Sequence, residues 1–165
     1  MKVGIDIDGV CASFFPAVIE RFGTPVSNAY SLEQMFPDRK REVWDFVDSP
    51  GTYDNLLPLP GAAETTLKLS SEHDLVFITA RPKHTAPNTI QWLRRNRFPE
   101  VDVIHSNDKV AVALLLGLEL FIEDNLWTAR RLARHMPCIL FNWTYNQGDY
   151  SPRVNDWSEI GGYFG

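Results

Sequence analysis

Branched apolar residues alternate with small or acidic ones at the start of the chain. Val3, Ile5 and Ile7 stand against Gly4, Asp6 and Asp8, and Gly9 breaks the run. A period of two predicts a strand ended by the glycine. Four later stretches have strand length and apolar character: "DLVFIT" (74–79), "VDVIHS" (101–106), "LELFIED" (118–124) and "CILFNW" (138–143). Helical spacing lies beside each of them. "GAAETTLKLSS" (61–71) follows Pro60 and offers Ala63, Thr66, Leu67 and Ser70 as a buried face. "TAPNTIQWLRRN" (85–96) has Thr85 as a candidate cap and Pro87 in its first turn, where the missing N–H costs little. "NDKVAVALLLG" (107–117) groups Val110, Ala111, Leu114 and Leu115 and stops at Gly117. "NLWTARRLARHMP" (125–137) groups Leu126, Ala129, Leu132 and Ala133 before Pro137.

Strand and helix therefore alternate from residue 61 to 143. The pattern predicts an α/β fold, a Rossmann-like three-layer sandwich whose mostly parallel sheet is covered by helices on both faces. Residues 12–58 break the rhythm. "FFPAVIERFG" and "RKREVWDFVDSP" are helical, with the loop-like "TPVSNAY" between them. We expect a core domain from 1–11 and 59–165, with 12–58 as a small helical cap subdomain inserted after the first strand. The final "YNQGDYSPRVNDWSEIGGYFG" is turn-rich and aromatic and is expected to wrap the sheet edge.

At 165 residues the chain has the size of one domain, large enough for a core without disulfides or structural metal. A net charge of -5 argues against polymeric nucleic acid or an anionic membrane as partner, and leaves small anionic substrates open. Cys11 and Cys138 are the only cysteines, which fits a reducing compartment. Asp6 and Asp8 interrupt the apolar N-terminus, unlike a signal peptide, and no apolar run has bilayer length. The expectation is a soluble, cytoplasmic protein of open oligomeric state.

The charged residues change the picture. Asp6 and Asp8 end the first predicted strand, Thr79 the second and Glu123-Asp124 the fourth, while Lys109 opens the helix after the third. A parallel sheet delivers all of these to one edge, where ligands of such folds bind. Gathered carboxylates repel unless a cation separates them. An all-oxygen donor set suits a hard ion such as Mg²⁺, which bridges to phosphate oxygens. A carboxylate can attack phosphorus and split one hard displacement into two easier ones. Lys109, placed against the helix dipole and only partly offset by Asp108, would steady the nucleophile and the phosphoryl oxygens.

"DIDGV", "FITAR", the lysine of "NDKV" and "FIEDN", in that order over residues 3–125, resemble the four motifs of the haloacid-dehalogenase-like phosphohydrolases. "DIDGVCASF", "PLPGAAETTLKL", "ITARP", the tryptophan of "TIQWL", "FIEDN" and "RVNDWSEI" are most similar to the 5'(3')-deoxyribonucleotidase family and its bacterial and phage relatives. The resemblance implies a Mg²⁺-dependent phosphomonoesterase with Asp6 as nucleophile and Asp8 as general acid and base. It implies Thr79 and Lys109 as their catalytic partners. Mg²⁺ would be held by the Asp6 carboxylate, the Asp8 main-chain carbonyl and the Asp124 carboxylate, with Glu123 paired to the lysine and Asn125 supporting them. Phe14, just past the nucleophile loop, is the candidate for a nucleobase, beside Trp44, Phe46 and Tyr53. Some animal members carry the lysine soon after the second motif, where this chain has Lys83; the spacing to Asp124 favours Lys109. Those members also follow the threonine with serine. Here Ala80 and then Arg81 stand at that place, so Arg81 becomes the candidate for the missing phosphate hydrogen bond.

Blander readings exist for each residue. A D-x-D-G string also occurs in calcium loops, but Val10, Cys11 and Ala12 supply no further oxygen ligands. Glu123-Asp124 alone would serve to cap a helix, and Phe14 and Phe15 alone to pack a hinge. The leading function is dephosphorylation of a nucleoside monophosphate. The alternatives are a phosphatase of sugar phosphates or other small esters, and a catalytically idle binding module.

Overall fold

The computed structural model describes residues 1–26 and 31–164; of the expected loop at 24–30, residues 27–30 lie outside them, as does Gly165. Six strands form one sheet: β1 (Lys2–Ile5), β2 (Asp74–Thr79), β3 (Asp102–His105), β4 (Leu120–Glu123), β5 (Cys138–Phe141) and β6 (Arg153–Val154). The helices are α1 (Phe14–Phe22), α2 (Leu32–Met35), α3 (Lys40–Asp48), α4 (Gly51–Asp54), α5 (Ala62–Ser70), α6 (Ala86–Arg95), α7 (Lys109–Leu116), α8 (Leu126–Leu132) and α9 (Trp157–Ile160). The strand order is β3-β2-β1-β4-β5-β6, and every neighbouring pair runs parallel. The fold is the α/β sandwich that the sequence pattern predicts.

Alternation along each strand sorts the core into two layers. Val3, Ile5, Phe77, Ile122 and Phe141 pack against Ala62 and Leu69 of α5, Trp92 of α6 and Trp157 of α9. Val76, Ile78, Phe121 and Leu140 face the other way, onto Val110 and Ala113 of α7 and Ala129 and Leu132 of α8. Gly4 is small for a packing reason: a Cβ there would stand 2.6 Å from the Phe121 ring. The large residue of β4 takes the space that β1 leaves.

Three helix faces differ from their expected phase. In α5 the buried residues are Ala62, Thr66 and Leu69, whereas Leu67 is exposed. In α7, Leu114 and Leu115 face solvent and Lys109, Val110 and Ala113 are buried. Its "VAVALLL" run is apolar all round, so it carries no phase of its own, and tertiary contacts decide its orientation. In α8, Ala133 is exposed, just past a helix that ends at Leu132.

The insertion has packing of its own. Val18, Phe22, Met35, Phe36 and Val43, contributed by α1, α3 and the α2 segment, make a separate apolar cluster. Its last part is tied to α6: Asn88 Nδ2 donates to Asp54 Oδ1 at 2.8 Å, and Trp92 Nε1 to the Leu56 carbonyl at 2.8 Å. The C-terminal segment does more than wrap an edge. It adds β6 in register, Leu140 opposite Arg153 and Phe141 opposite Val154, and seats Trp157 with its Nε1 donating to the Val10 carbonyl at 2.7 Å. Among the described residues, no helix is long and apolar enough to cross a membrane.

Candidate active site

The strand order reverses between β1 and β4, and the crevice at that point is where open parallel sheets bind ligands. β1 ends at Ile5, three residues before the Asp8 at which the alternation stops. Asp6 follows with its N–H still bound to the Ile122 carbonyl at 3.0 Å, so its carboxyl group is anchored at the mouth of the crevice. Asp6 Oδ1 accepts the Ile7 N–H at 2.7 Å and Lys109 Nζ at 2.7 Å. Lys109 also donates to Glu123 Oε2 at 2.9 Å. The other Glu123 oxygen accepts the N–H groups of Asp124 and Asn125, each at 3.0 Å. Two caps hold these pieces still. The Asp108 side chain accepts the Ala111 N–H at the start of α7, and Asn125 Oδ1 accepts the Thr128 N–H at the start of α8.

One oxygen each of Asp6, Glu123 and Asp124 lie within 4.8 Å of one another. Burial, and after it the charge of Glu123, drives the Asp6 carboxyl well above the carboxylate range. The same two causes push Asp124 up to about 8. Burial also works against the charge on Lys109 and Glu123. For Lys109 the charges of Asp6 and Glu123 win and hold it above its ordinary value; for Glu123 the lysine and the backbone donors hold it low. Two buried carboxylates and the half-buried Asp124, with one ammonium, leave the cluster short of positive charge. A hard divalent cation fits that deficit and this oxygen donor set.

The same turn carries Asp8 and Gly9. Gly9 has φ +81°, and a Cβ on it would stand 2.1 Å from Asp124 Oδ2, so only glycine fits. Asp8 faces the cavity and is gripped by Arg81, with Nε on Oδ2 at 2.8 Å and Nη2 on Oδ1 at 2.7 Å. Thr79 is buried at the end of β2, where its Oγ1 accepts the Arg81 N–H at 3.2 Å. Ala80 is exposed and lines the cavity. Lys83 is exposed in the 3₁₀ turn before α6 and is not part of the lining. His84 bonds the Asp48 carbonyl at 2.7 Å, also away from the cavity.

The cavity above these groups measures about 560 Å³. Phe14, Phe15, Met35, Val43 and Trp44 line it from the insertion. Phe14 lies between Phe46 and Tyr53, with ring centroids 6.1 Å away in each case. Cys11 is fully buried and points its thiol at the Asp6 carbonyl at 3.4 Å, a packing position.

One residue of the site is invisible to periodicity. Tyr145 donates a hydrogen bond to Asp124 Oδ2 and packs its ring 4.3 Å from that of Phe15. It comes from the 3₁₀ turn after β5, which Trp143 pins by donating to the Gly9 carbonyl at 2.7 Å. The sequence offers only the aromatic, turn-rich run that Tyr145 opens, expected to wrap the sheet edge.

Known proteins resemble this chain in sequence and in fold. "Putative nucleotidase YqfW" of Bacillus subtilis is 29% identical over 175 residues, spanning 96% of this chain and 91% of its own length. The haloacid dehalogenase-like family protein SP0104 from Streptococcus pneumoniae, a hydrolase, superposes with a TM-score of 0.69 at 15% identity, covering 99% of this chain and 98% of its own. The "putative HAD-hydrolase YfnB" from Bacillus subtilis, solved bound to magnesium, superposes with a TM-score of 0.61 at 14% identity, covering 98% of this chain and 97% of that one. The family model described as "5' nucleotidase, deoxy (Pyrimidine), cytosolic type C protein" matches residues 1–163. The chain thus belongs to that deoxynucleotidase family, as a phosphoric monoester hydrolase on a haloacid-dehalogenase-like fold.

Proposed function

We propose that this chain is a Mg²⁺-dependent phosphatase of nucleoside monophosphates, deoxyribonucleotides before others, working in the cytoplasm through an aspartyl-phosphate on Asp6. The observation that carries this reading is the Lys109 ammonium shared between Asp6 and Glu123, beside Asp124, at the floor of an aromatic-lined cavity. The oxygens of Asp6 and Asp124 and the Asp8 main-chain carbonyl would hold the cation. A divalent cation held by these residues would supply positive charge against the phosphoryl oxygens. Asp6 attacks phosphorus while Asp8 gives its proton to the departing sugar oxygen. Asp8 then takes a proton from water, which releases phosphate from Asp6. Lys109 and the Thr79 hydroxyl balance charge on the phosphoryl oxygens. Cys11 and Cys138 are both free and buried, which supports a reducing compartment.

The cap side of the cavity favours a nucleoside over a sugar as the leaving group. Phe14, Trp44 and Tyr53 offer rings and Val43 and Val47 apolar surface suited to a base, with Ser31 and Glu33 as polar groups on the same side. Phosphate release from deoxynucleotides, ribonucleotides and sugar phosphates tests this. A deoxynucleoside monophosphate is expected to lead the best sugar phosphate in kcat/KM by at least about tenfold. A sugar phosphate at the head of the series would overturn the substrate assignment.

Metal affinity carries a pH signature. Without a cation Asp124 keeps its proton up to about pH 8, so a divalent ion must displace that proton at neutral pH. Affinity therefore falls as pH falls, by about tenfold per unit for one displaced proton. Calorimetric titration with Mg²⁺ at pH 6.5 and 7.5 should show that ratio, with proton uptake by the buffer. Equal affinity at the two values would show that Asp124 is not displaced from its proton by the ion.

A further inference from the structure

Arg81 sits where the sequence reading expected a phosphate ligand, but its guanidinium is committed to Asp8. Every part of the residue is tied down. It is 3% exposed, and its guanidinium carbon lies 4.3 Å from the centre of the Tyr53 ring and 5.8 Å from that of Trp92. Nη1 donates to Thr89 Oγ1 at 3.3 Å, the main-chain N–H is taken by Thr79, and the carbonyl faces His105 Nδ1 at 3.0 Å. A planar fork bonded to both carboxylate oxygens fixes the plane of the carboxylate, which the point charge of a lysine cannot do. It uses two of about four lone-pair sites, so the others remain open to a proton.

We propose that Arg81 is a positioning residue, which holds the Asp8 carboxyl group in the one plane from which it can serve both halves of the reaction. The inference rests on the reading of Asp6 and Asp8 given above. In the first half an Asp6 oxygen bonds to phosphorus, the ester P–O bond breaks, and the Asp8 proton goes to the leaving oxygen. In the second half a water oxygen bonds to phosphorus, a water proton goes to Asp8, and the Asp6–phosphorus bond breaks with its electron pair returning to Asp6. An aryl oxide leaves without a proton, so with an aryl phosphate Asp8 loses its proton to solvent and is needed in the second half alone. A loosened Asp8 should therefore spare one half with that substrate and slow the other.

Arg81→Ala and Arg81→Lys, assayed with Mg²⁺, test this. With deoxyuridine 5'-monophosphate, kcat of the alanine variant should fall by about 10²–10³-fold, with little change in KM. Rapid mixing with 4-nitrophenyl phosphate should give a burst of nearly one nitrophenolate per site. Turnover after it should be at least about tenfold slower than wild type, as aspartyl-phosphate accumulates. The lysine variant keeps the charge and loses the fork, so it should show the same burst with a smaller fall in kcat. It carries the test should the alanine variant fail to fold. Inhibition by inorganic phosphate should be unchanged in both. A raised KM with weakened phosphate inhibition and no burst would make Arg81 a phosphate ligand and overturn the proposal, as would unchanged kcat. A wild-type protein without Mg²⁺-dependent turnover of either ester would remove the underlying reading itself; an active wild type with burst-free variants removes the positioning role alone.

Discussion

Asp6→Asn is expected to lower Mg²⁺-dependent phosphate release by at least about 10⁴-fold while leaving the fold in place. An amide is far too weak a nucleophile to replace the attacking carboxylate of the proposed covalent step. The shape of the site should survive, because the amide oxygen can still accept the Ile7 N–H and Lys109 bonds made by Asp6 Oδ1. Two electrostatic effects oppose each other. Losing the Asp6 charge relieves its repulsion with Glu123 and Asp124, but leaves Lys109 paired with Glu123 alone. Stability is therefore expected to move by no more than about 1–2 kcal/mol, read from urea unfolding followed by circular dichroism. Affinity for Mg²⁺ should weaken, since one of its proposed ligands loses a full charge. Residual turnover above about 1% of wild type, or a phosphoryl group trapped on another side chain, would show that Asp6 is not the nucleophile.

The contrast between Asp6 and Tyr145 shows what the sequence could reveal. Asp6, Thr79 and Glu123-Asp124 stand at the ends of strands that are legible from a two-residue period or an apolar run. Once the sheet is read as parallel, those ends must meet, and Lys109 follows from its place at the start of the next helix. Tyr145 belongs to a turn whose position depends on β5, on the docking of Trp143 against Gly9 and on β6 joining the edge. None of that is periodic, so no local pattern could place it beside Asp124. Arg81 was legible as a cation near the site, but its partner was not. The fork turns from phosphate to Asp8 because Tyr53 from α4 and Thr89 and Trp92 from α6 close around it. The face of α7 failed for a different reason. Its uniformly apolar run gives Leu114 and Leu115 the same hydrophobic claim as Val110 and Ala113, and the buried reach of Lys109 settles which pair turns inward.

Lys109→Met should cost both activity and stability, and the two losses should separate. Methionine fills a similar volume but leaves Asp6 and Glu123, both buried, without the ammonium they share at 2.7 and 2.9 Å. Breaking a buried pair by removing one partner costs about 3–5 kcal/mol. In a domain of this size that lowers the melting temperature by about 10 °C. The sign of its pH dependence follows from the carboxyl groups. Asp6 is already held well above its ordinary value, and without the lysine Glu123 loses the charge that keeps it low. Folding then costs most where both must be charged, at neutral pH and above, and the gap from wild type narrows on acidification as the folded state takes up protons. Glu123→Gln added to Lys109→Met removes the second unpaired charge, so the double variant should recover much of the lost melting temperature. It should recover none of the phosphatase activity, because the cation proposed to stand beside the phosphoryl oxygens is still missing. A double variant no more stable than the single one would mean that Lys109 supports the fold through packing, and that its bond to Glu123 carries no weight in holding the site together.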